Sequence, residues 1–372
     1  MVLSDAQVQS MARDAMQSAA AGDLATAEKL LTRVAAARPD FGQAQHLLGQ
    51  ARLKLGRFAD ARAPLQSAAK LLPKEVSAQV NLAGCLSVLG EHDAALMALA
   101  RAAALKPGDA AIAHNRGRML AKLGRGEEAE RAYDEALSID HRLIPSLIGR
   151  AELLAARGDW MGALADLDMA LVSRPDDASL KLKRGEILLH QGDWLRGLAD
   201  YEARLAVPGE RYTPELPRWQ GEPLTGRLLL YPEQADIDGD AAIRDTLMLV
   251  RGIEAGLECV VQCGRTLADW LEGPTIERGA PLEGFAAAAP LRSLPYLLNW
   301  DPHALPPAPP LRGRPETAPT ADGFDSWQTH LAARLGLPVT VHLSAGADWL
   351  WGPPGRRFAW YPALTVEETD GA

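Results

Sequence analysis

Residues 47–73 read "LLGQARLKLGRFADARAPLQSAAKLLP": two stretches patterned for helix, broken at Gly56 and closed by Pro73. Glycine accepts the positive φ on which a helix ends and the chain turns. The stretch after it spaces apolar residues three and four apart, the signature of a helix with one buried face. Read outward, the unit recurs. Gly22, Gly56, Gly90, Gly124, Gly158 and Gly192 each lie 34 residues from the last. Five residues after them stand Ala27, Ala61, Ala95, Ala129 and Ala163, then Gly197, small side chains where two helices approach closely. Seventeen after the glycines come Pro39, Pro73, Pro107, His141 and Pro175, four prolines in five at a helix end. The period predicts six helix-turn-helix units whose stacked neighbours bury one continuous core. Pro64, inside the second helix of its unit, is expected to kink or shorten it.

Through residues 47–73 and "RGRMLAKLGRGEEAERAYDEALSID" (116–140), the chain resembles the tetratricopeptide repeat family over residues 8 to about 205. The resemblance implies a superhelix whose concave wall, lined by the first helix of each unit, takes an extended peptide or a partner helix. In the family's register that wall would present Gln43, His46 and Gln50, then Asn81, His114, Asn115, Arg118 and Lys122, and finally Glu152, Lys183, Glu186 and His190. Mixed polarity suits a peptide backbone better than an acyl chain. Asn81 and Asn115 hold the same position in successive units, and amides so placed can clamp a peptide main chain without reading its sequence. For any one of these residues the alternative is a solvated helix face.

Beyond residue 205 the pattern changes to strand (227–232), helix (240–255), strand (258–263) and helix (265–272), the alternation of a parallel α/β sheet. The run from "DYEAR" through "PRWQGEPLTGRLLLYPEQ", with "PLRSLPYLLN" (290–299), "DSWQTHLAARLGLPV" (325–339) and "DWLWGPPGRRFAWYPAL" (348–364), resembles tetratricopeptide proteins that end in a two-lobed, GT-B glycosyltransferase-like domain. That group is similar to O-linked N-acetylglucosamine transferases and heptosyltransferases. The resemblance implies two Rossmann-like lobes that bind acceptor and nucleotide sugar. On the family's motifs, Gly239, Asp240, Asp325, Ser326 and His330 are the nucleotide-sugar candidates, and His330 or Asp240 the candidate base.

The chain departs from that pattern in length. A Rossmann-like lobe needs roughly 100–150 residues to close a core. Residues 301–372 are fewer, and they include the Pro-rich linker 301–320, which cannot enter a central strand. The expectation is an α-solenoid over 1–205, one Rossmann-like lobe over 206–300, and a residual segment, 321–372, folded back onto that lobe as an incomplete GT-B domain. The loop "EQADIDGD" (233–240) is two residues longer than the group's Glu-Gln-Gly-Xaa-Gly-Asp and lacks its first glycine. Its aspartates 236, 238 and 240 alternate as in a calcium loop, but no bidentate glutamate follows, so no metal is expected. Asp325 with Gln328 also reads as a helix-capping box, and Trp327 stands where a small residue lets a diphosphate approach. Cys85, Cys259 and Cys263 are too few for a disulfide framework, and the strand pair in "CVVQC" reads as small buried hydrophobes.

Charge narrows the partners. Residues 1–205 carry 26 Lys and Arg against 26 Asp and Glu; the remainder holds 13 arginines, no lysine and 22 acids. An acidic, lysine-free half lacks the basic face that nucleic acid or an anionic membrane needs, and offers a phosphate few cations. The N-terminus has no charged segment followed by an apolar core, and no stretch nears the ~20 apolar residues of a spanning helix. The chain is read as cytoplasmic. Function is read as a non-catalytic scaffold that binds a peptide or helix and needs no cofactor. The alternative is a protein O-glycosyltransferase whose repeats recruit the acceptor, its donor site completed by another chain. A third reading keeps only the repeats useful.

Overall fold

The structure, a computed structural model, describes residues 4–209, 211–250, 257–301, 311, 322–324, 327–334, 339–343, 347–351, 361 and 364–368. It divides into two compact units, residues 1–174 and 175–372.

The first unit holds five helix pairs. Their first helices are α1 (Asp5–Ala20), α3 (Gly42–Lys54), α5 (Val76–Val88), α7 (Ala110–Lys122) and α9 (Ile144–Ala156). Their second helices are α2 (Leu24–Ala37), α4 (Phe58–Leu71), α6 (His92–Leu105), α8 (Gly126–Ile139) and α10 (Trp160–Ser173). All six period glycines take φ between 72° and 85°, and the five alanines that follow them are completely buried, as the 34-residue pattern requires. Tyr133 of α8 wedges between pairs. A Cβ at Gly117 would sit 2.7 Å from its ring and one at Gly149 2.6 Å from it, so both glycines are set by packing.

Pro64 does not shorten its helix: α4 runs 14 residues, as α2 and α6 do. A proline there leaves the Asp60 carbonyl without its intrahelical N–H. Arg52 of α3 supplies the missing donor, its guanidinium reaching that oxygen at 2.9 Å.

The second unit begins with the sixth pair, α11 (Ala178–His190) and α12 (Trp194–Tyr201), followed by a 3-10 turn at Glu202–Ala206. Arg184 grips Asp200 here as Arg150 grips Asp166 one period earlier, each through two nitrogens. A four-stranded sheet comes next: β1 (Arg227–Tyr231), β2 (Glu258–Gln262), β3 (Thr275–Ile276) and β4 (Phe285–Pro290), with α13 (Asp240–Leu249) and α14 (Arg265–Ala268) between the first three strands. It is parallel throughout, in the order β3-β2-β1-β4. Strand β4 is alanine-rich and has weak strand propensity. Its outer edge is covered where Trp219 N–H donates to the Ala288 carbonyl and Ala288 N–H to that of Pro217, both at 2.8 Å.

The C-terminal segment forms a sheet of its own, β5 (Asp322–Phe324), β6 (Val339–Leu343) and β7 (Leu364–Glu368), parallel in that order, with α16 (Trp327–Arg334) after β5. A short α15 (Leu294–Leu297) precedes it. Helix α16 packs on α13, and the Arg334 guanidinium and the Tyr361 hydroxyl both donate to the Leu247 carbonyl in the last turn of α13, where helix carbonyls lack internal partners. Trp300 and Trp351 lie in the core of this unit, together with Leu189, Trp194 and Leu198 of the sixth pair and Leu228 and Leu230 of β1. Cys263 is buried and Cys259 half-buried; burial pushes the Cys259 thiol up to about 11 and the Cys263 thiol up to about 12, so both stay protonated and unreactive. Among the described residues no helix is long and apolar enough to cross a membrane, and no three His, Cys, Asp or Glu side chains are grouped to hold a metal ion.

Candidate functional site

Two places gather functional side chains, one in each unit. In the first unit it is the face built by α3, α5 and α7. Within the first unit α3 packs on α1 and α5, and α9 on α7, whereas α5 and α7 touch least, and between them a cavity of about 190 Å³ opens. Its floor is apolar, from Leu53, Val80, Leu99 and Met119; Asn81, Asn115 and Arg118 stand on its wall.

These polar residues are tied to one another. His46 is 4% exposed; its Nε2 lies 2.9 Å from the Asn81 amide nitrogen and 3.3 Å from that of Gln50. Two amide donors on Nε2 make it the accepting nitrogen, and burial lowers the His46 pKa, favouring that neutral ring. That leaves the Asn81 carbonyl oxygen without a partner among the described residues. Asn115 Oδ1 takes a long 3.4 Å bond from Arg118 and keeps its amide N–H groups. His114 is held against Ser146 Oγ at 3.1 Å and beside the Tyr133 ring; burial, then Arg118, lowers its pKa. Gln43, Lys122 and Glu152 are exposed. Lys183, Glu186 and His190 lie on α11 in the second unit, Glu186 exposed and the other two half-buried.

The second place is the crevice at the carboxyl ends of β1 and β4. The chain winds out from β1 on one side and returns to it on the other, and parallel sheets bind ligands at such a reversal. Here the crevice is filled by ion pairs. Arg204 holds Glu233 Oε2 at 3.0 Å, Glu202 Oε1 at 2.6 Å and Ser293 Oγ at 2.8 Å. Arg292 holds Asp245 at 2.7 Å, Asp348 at 2.9 Å and the Tyr201 hydroxyl at 3.0 Å. Burial works against the charge on Arg292, but Asp245 and Asp348 outweigh it and hold the guanidinium above its ordinary range. Gln234 donates to the same Asp245 at 2.6 Å.

Gly239 is the N-cap of α13 and Asp240 its exposed first residue. Asp236 Oδ1 accepts the Asp238 N–H, which closes the loop on itself. His330 is fully buried between the rings of Trp351 and Tyr361, with centroids 5.1 and 5.9 Å away. Asp325 and Ser326 lie outside the described residues, as does most of the linker 301–320.

The tetratricopeptide repeat model matches residues 18–76, 46–110, 86–142 and 148–211, just over half of the chain. The chain belongs to the tetratricopeptide repeat family. Among solved structures it is similar to a tetratricopeptide repeat protein from Parabacteroides merdae, at 21% identity over 55% of this chain and 81% of that one, TM-score 0.49. A thermophilic protein of the same repeat type from Thermus thermophilus is 25% identical over 49% of this chain and 99% of its own, TM-score 0.39. MamA from Desulfovibrio magneticus is 18% identical over 46% and 97%, TM-score 0.43. No functionally curated protein matches the chain.

Residue types and period thus led to the tetratricopeptide face, but not to the ties within it. The pairing of His46 with Asn81 spans 35 residues, one period plus one, and that spacing was a readable signal. The crevice network had none: Arg292 meets Asp245 across 47 residues and Arg204 meets Ser293 across 89.

Proposed function

We propose that the chain is a protein-interaction scaffold whose first-helix groove binds an extended peptide or a partner helix. The α/β unit is a degenerate glycosyltransferase-like lobe. The observation that carries the reading is the cavity between α5 and α7, lined by Asn81 with an unpaired carbonyl oxygen and by Asn115 with free amide N–H groups. One acceptor and one donor, a repeat apart, match the alternation of a peptide main chain. Three free cysteines suit a reducing, cytoplasmic setting.

Peptides recovered from a random display library on the full chain, measured by fluorescence polarisation, test it. With hydrogen bonds worth about 0.5–1.5 kcal/mol each, Asn81→Ala with Asn115→Ala should weaken them about tenfold. Unchanged affinity would remove these amides from the site.

The quoted sequence matches and the strand order β3-β2-β1-β4 favour the alternative, sugar transfer from a nucleotide sugar. Against it stand the engaged side chains of Arg204 and Arg292, because a leaving diphosphate must be neutralised by cations or helix N-termini. UDP- and GDP-linked sugars are therefore expected to leave the melting temperature unchanged. Binding at a hundred times the dissociation constant would stabilise the second unit by about 2.7 kcal/mol and raise its Tm by about 5–10 °C. Such a rise would favour the transferase.

A further inference from the structure

Most glycines inside the helices are forced by packing. A Cβ at Gly49 would lie 2.4 Å from Leu65, and one at Gly117 2.7 Å from Tyr133. Gly84 is different: a Cβ there meets nothing within 4 Å. It lies on α5 at the register position that Gln50, Arg118 and Glu152 occupy in other units, all long polar residues. Packing therefore does not ask for glycine at 84; its missing side chain opens the cavity between α5 and α7.

The space is about 190 Å³, below the ~300–1,000 Å³ of small-molecule pockets, and its floor of leucine, valine and methionine is apolar. A single aliphatic side chain fits it. Charge at the rim points to the flanking chemistry. Arg116, Arg125, Arg150 and Arg157 each hold a carboxylate of this chain. Arg118, on the cavity wall, and Lys122, one turn on, are exposed and hold none among the described residues. Glu152 on α9 supplies the opposite charge further along and sets a limit to the cationic stretch.

We propose that this cavity anchors one aliphatic side chain, of leucine or methionine size, in an acidic peptide segment whose carboxylates meet Arg118 and Lys122. The inference rests on the reading of the first-helix face as a peptide site and adds what the peptide must contain.

The probe is the set of peptides recovered from a random display library on the full chain. They should share one fixed aliphatic position with Asp or Glu within a few residues. Gly84→Leu fills the cavity, and because leucine is the better helix former and no atom lies within 4 Å of its Cβ, the melting temperature should hold or rise. Affinity should fall at least tenfold. Replacing the peptide's aliphatic residue with alanine should cost as much on the parent protein and nothing further on Gly84→Leu, a comparison that needs no destabilised variant. Arg118→Glu with Lys122→Glu should weaken binding and flatten its dependence on salt. Peptides that need Asn81 and Asn115 but ignore Gly84→Leu would overturn the anchor and leave the groove. Recovered peptides that are basic, or lack a fixed aliphatic position, would also overturn it. If no peptide binds, the anchor and the groove fall together.

Discussion

Arg292→Ala should destabilise the second unit by about 3 kcal/mol, near the lower end of what breaking a buried ion pair costs. Asp245 is 1% exposed and takes its closest cationic contact, 2.7 Å, from this side chain. Truncation leaves it with Gln234 and with Arg244 at 3.6 Å, which is why the full range is not expected. The same change cuts the bonds to Asp348 and to the Tyr201 hydroxyl. The loss should therefore loosen three elements at once: α12, α13 and the segment around residue 348. Eight of the nine tryptophans lie beyond residue 174, so urea unfolding followed by tryptophan fluorescence reports on this unit almost alone. Arg292→Met with Asp245→Leu should recover much of the loss, because removing both charges spares the uncompensated one. A single-variant loss under about 1 kcal/mol would mean that solvent replaces the guanidinium, contrary to a filled crevice.

The sign of Gly117→Ala should depend on Tyr133. In the parent protein the new methyl group meets the tyrosine ring at 2.7 Å, and overpacking of this kind costs about 1–3 kcal/mol. Tyr133→Ala alone should cost about 3–5 kcal/mol, since the ring is 3% exposed and fills the space between α7 and α9. In that background only the Ala129 carbonyl oxygen, 3.1 Å from the new methyl group, still crowds it, so Gly117→Ala should cost little or become stabilising by up to about 0.5–1 kcal/mol, the ordinary gain of alanine over glycine within a helix. Thermal unfolding followed by the helical circular dichroism signal measures all three variants. Additive effects would show that the glycine is set by something other than the ring.

The repeats were legible because their period is local and covalent: a glycine, an alanine and a proline at fixed spacing state where helices turn, touch and end. The ion pair Arg150–Asp166 and its copy Arg184–Asp200 were equally readable, since both partners recur after 34 residues. Strands β1 and β2 declared themselves through runs such as "RLLLY", whereas β4, "FAAAAP", is held by the backbone of residues 217–219 rather than by its side chains. Helix α4 shows how a local rule yields to tertiary context, because the donor that replaces the proline's missing N–H comes from Arg52 on the neighbouring helix.

The sites divide in the same way. Register placed His46 on the first helix of its unit, but its burial depends on Asn81 of the next unit, whose amide nitrogen lies 2.9 Å from its ring. His330 stands on a helix that its spacing suggested, yet its role as a core ring is set by Trp351 and Tyr361, whose approach no local pattern encodes. The cavity itself came from an absence, the side chain that Gly84 lacks: the period sets Gly84 apart, at a position where other units carry Gln50, Arg118 and Glu152, but only the structure shows that the space is left open.

Hydrogen exchange of the full chain with and without a display-selected peptide tests most directly whether recognition lies on the repeat face. Exchange should slow in α3, α5 and α7 and stay unchanged at residues 232–240 and 291–293 of the crevice. Protection confined to the crevice, with α5 and α7 unaffected, would contradict it.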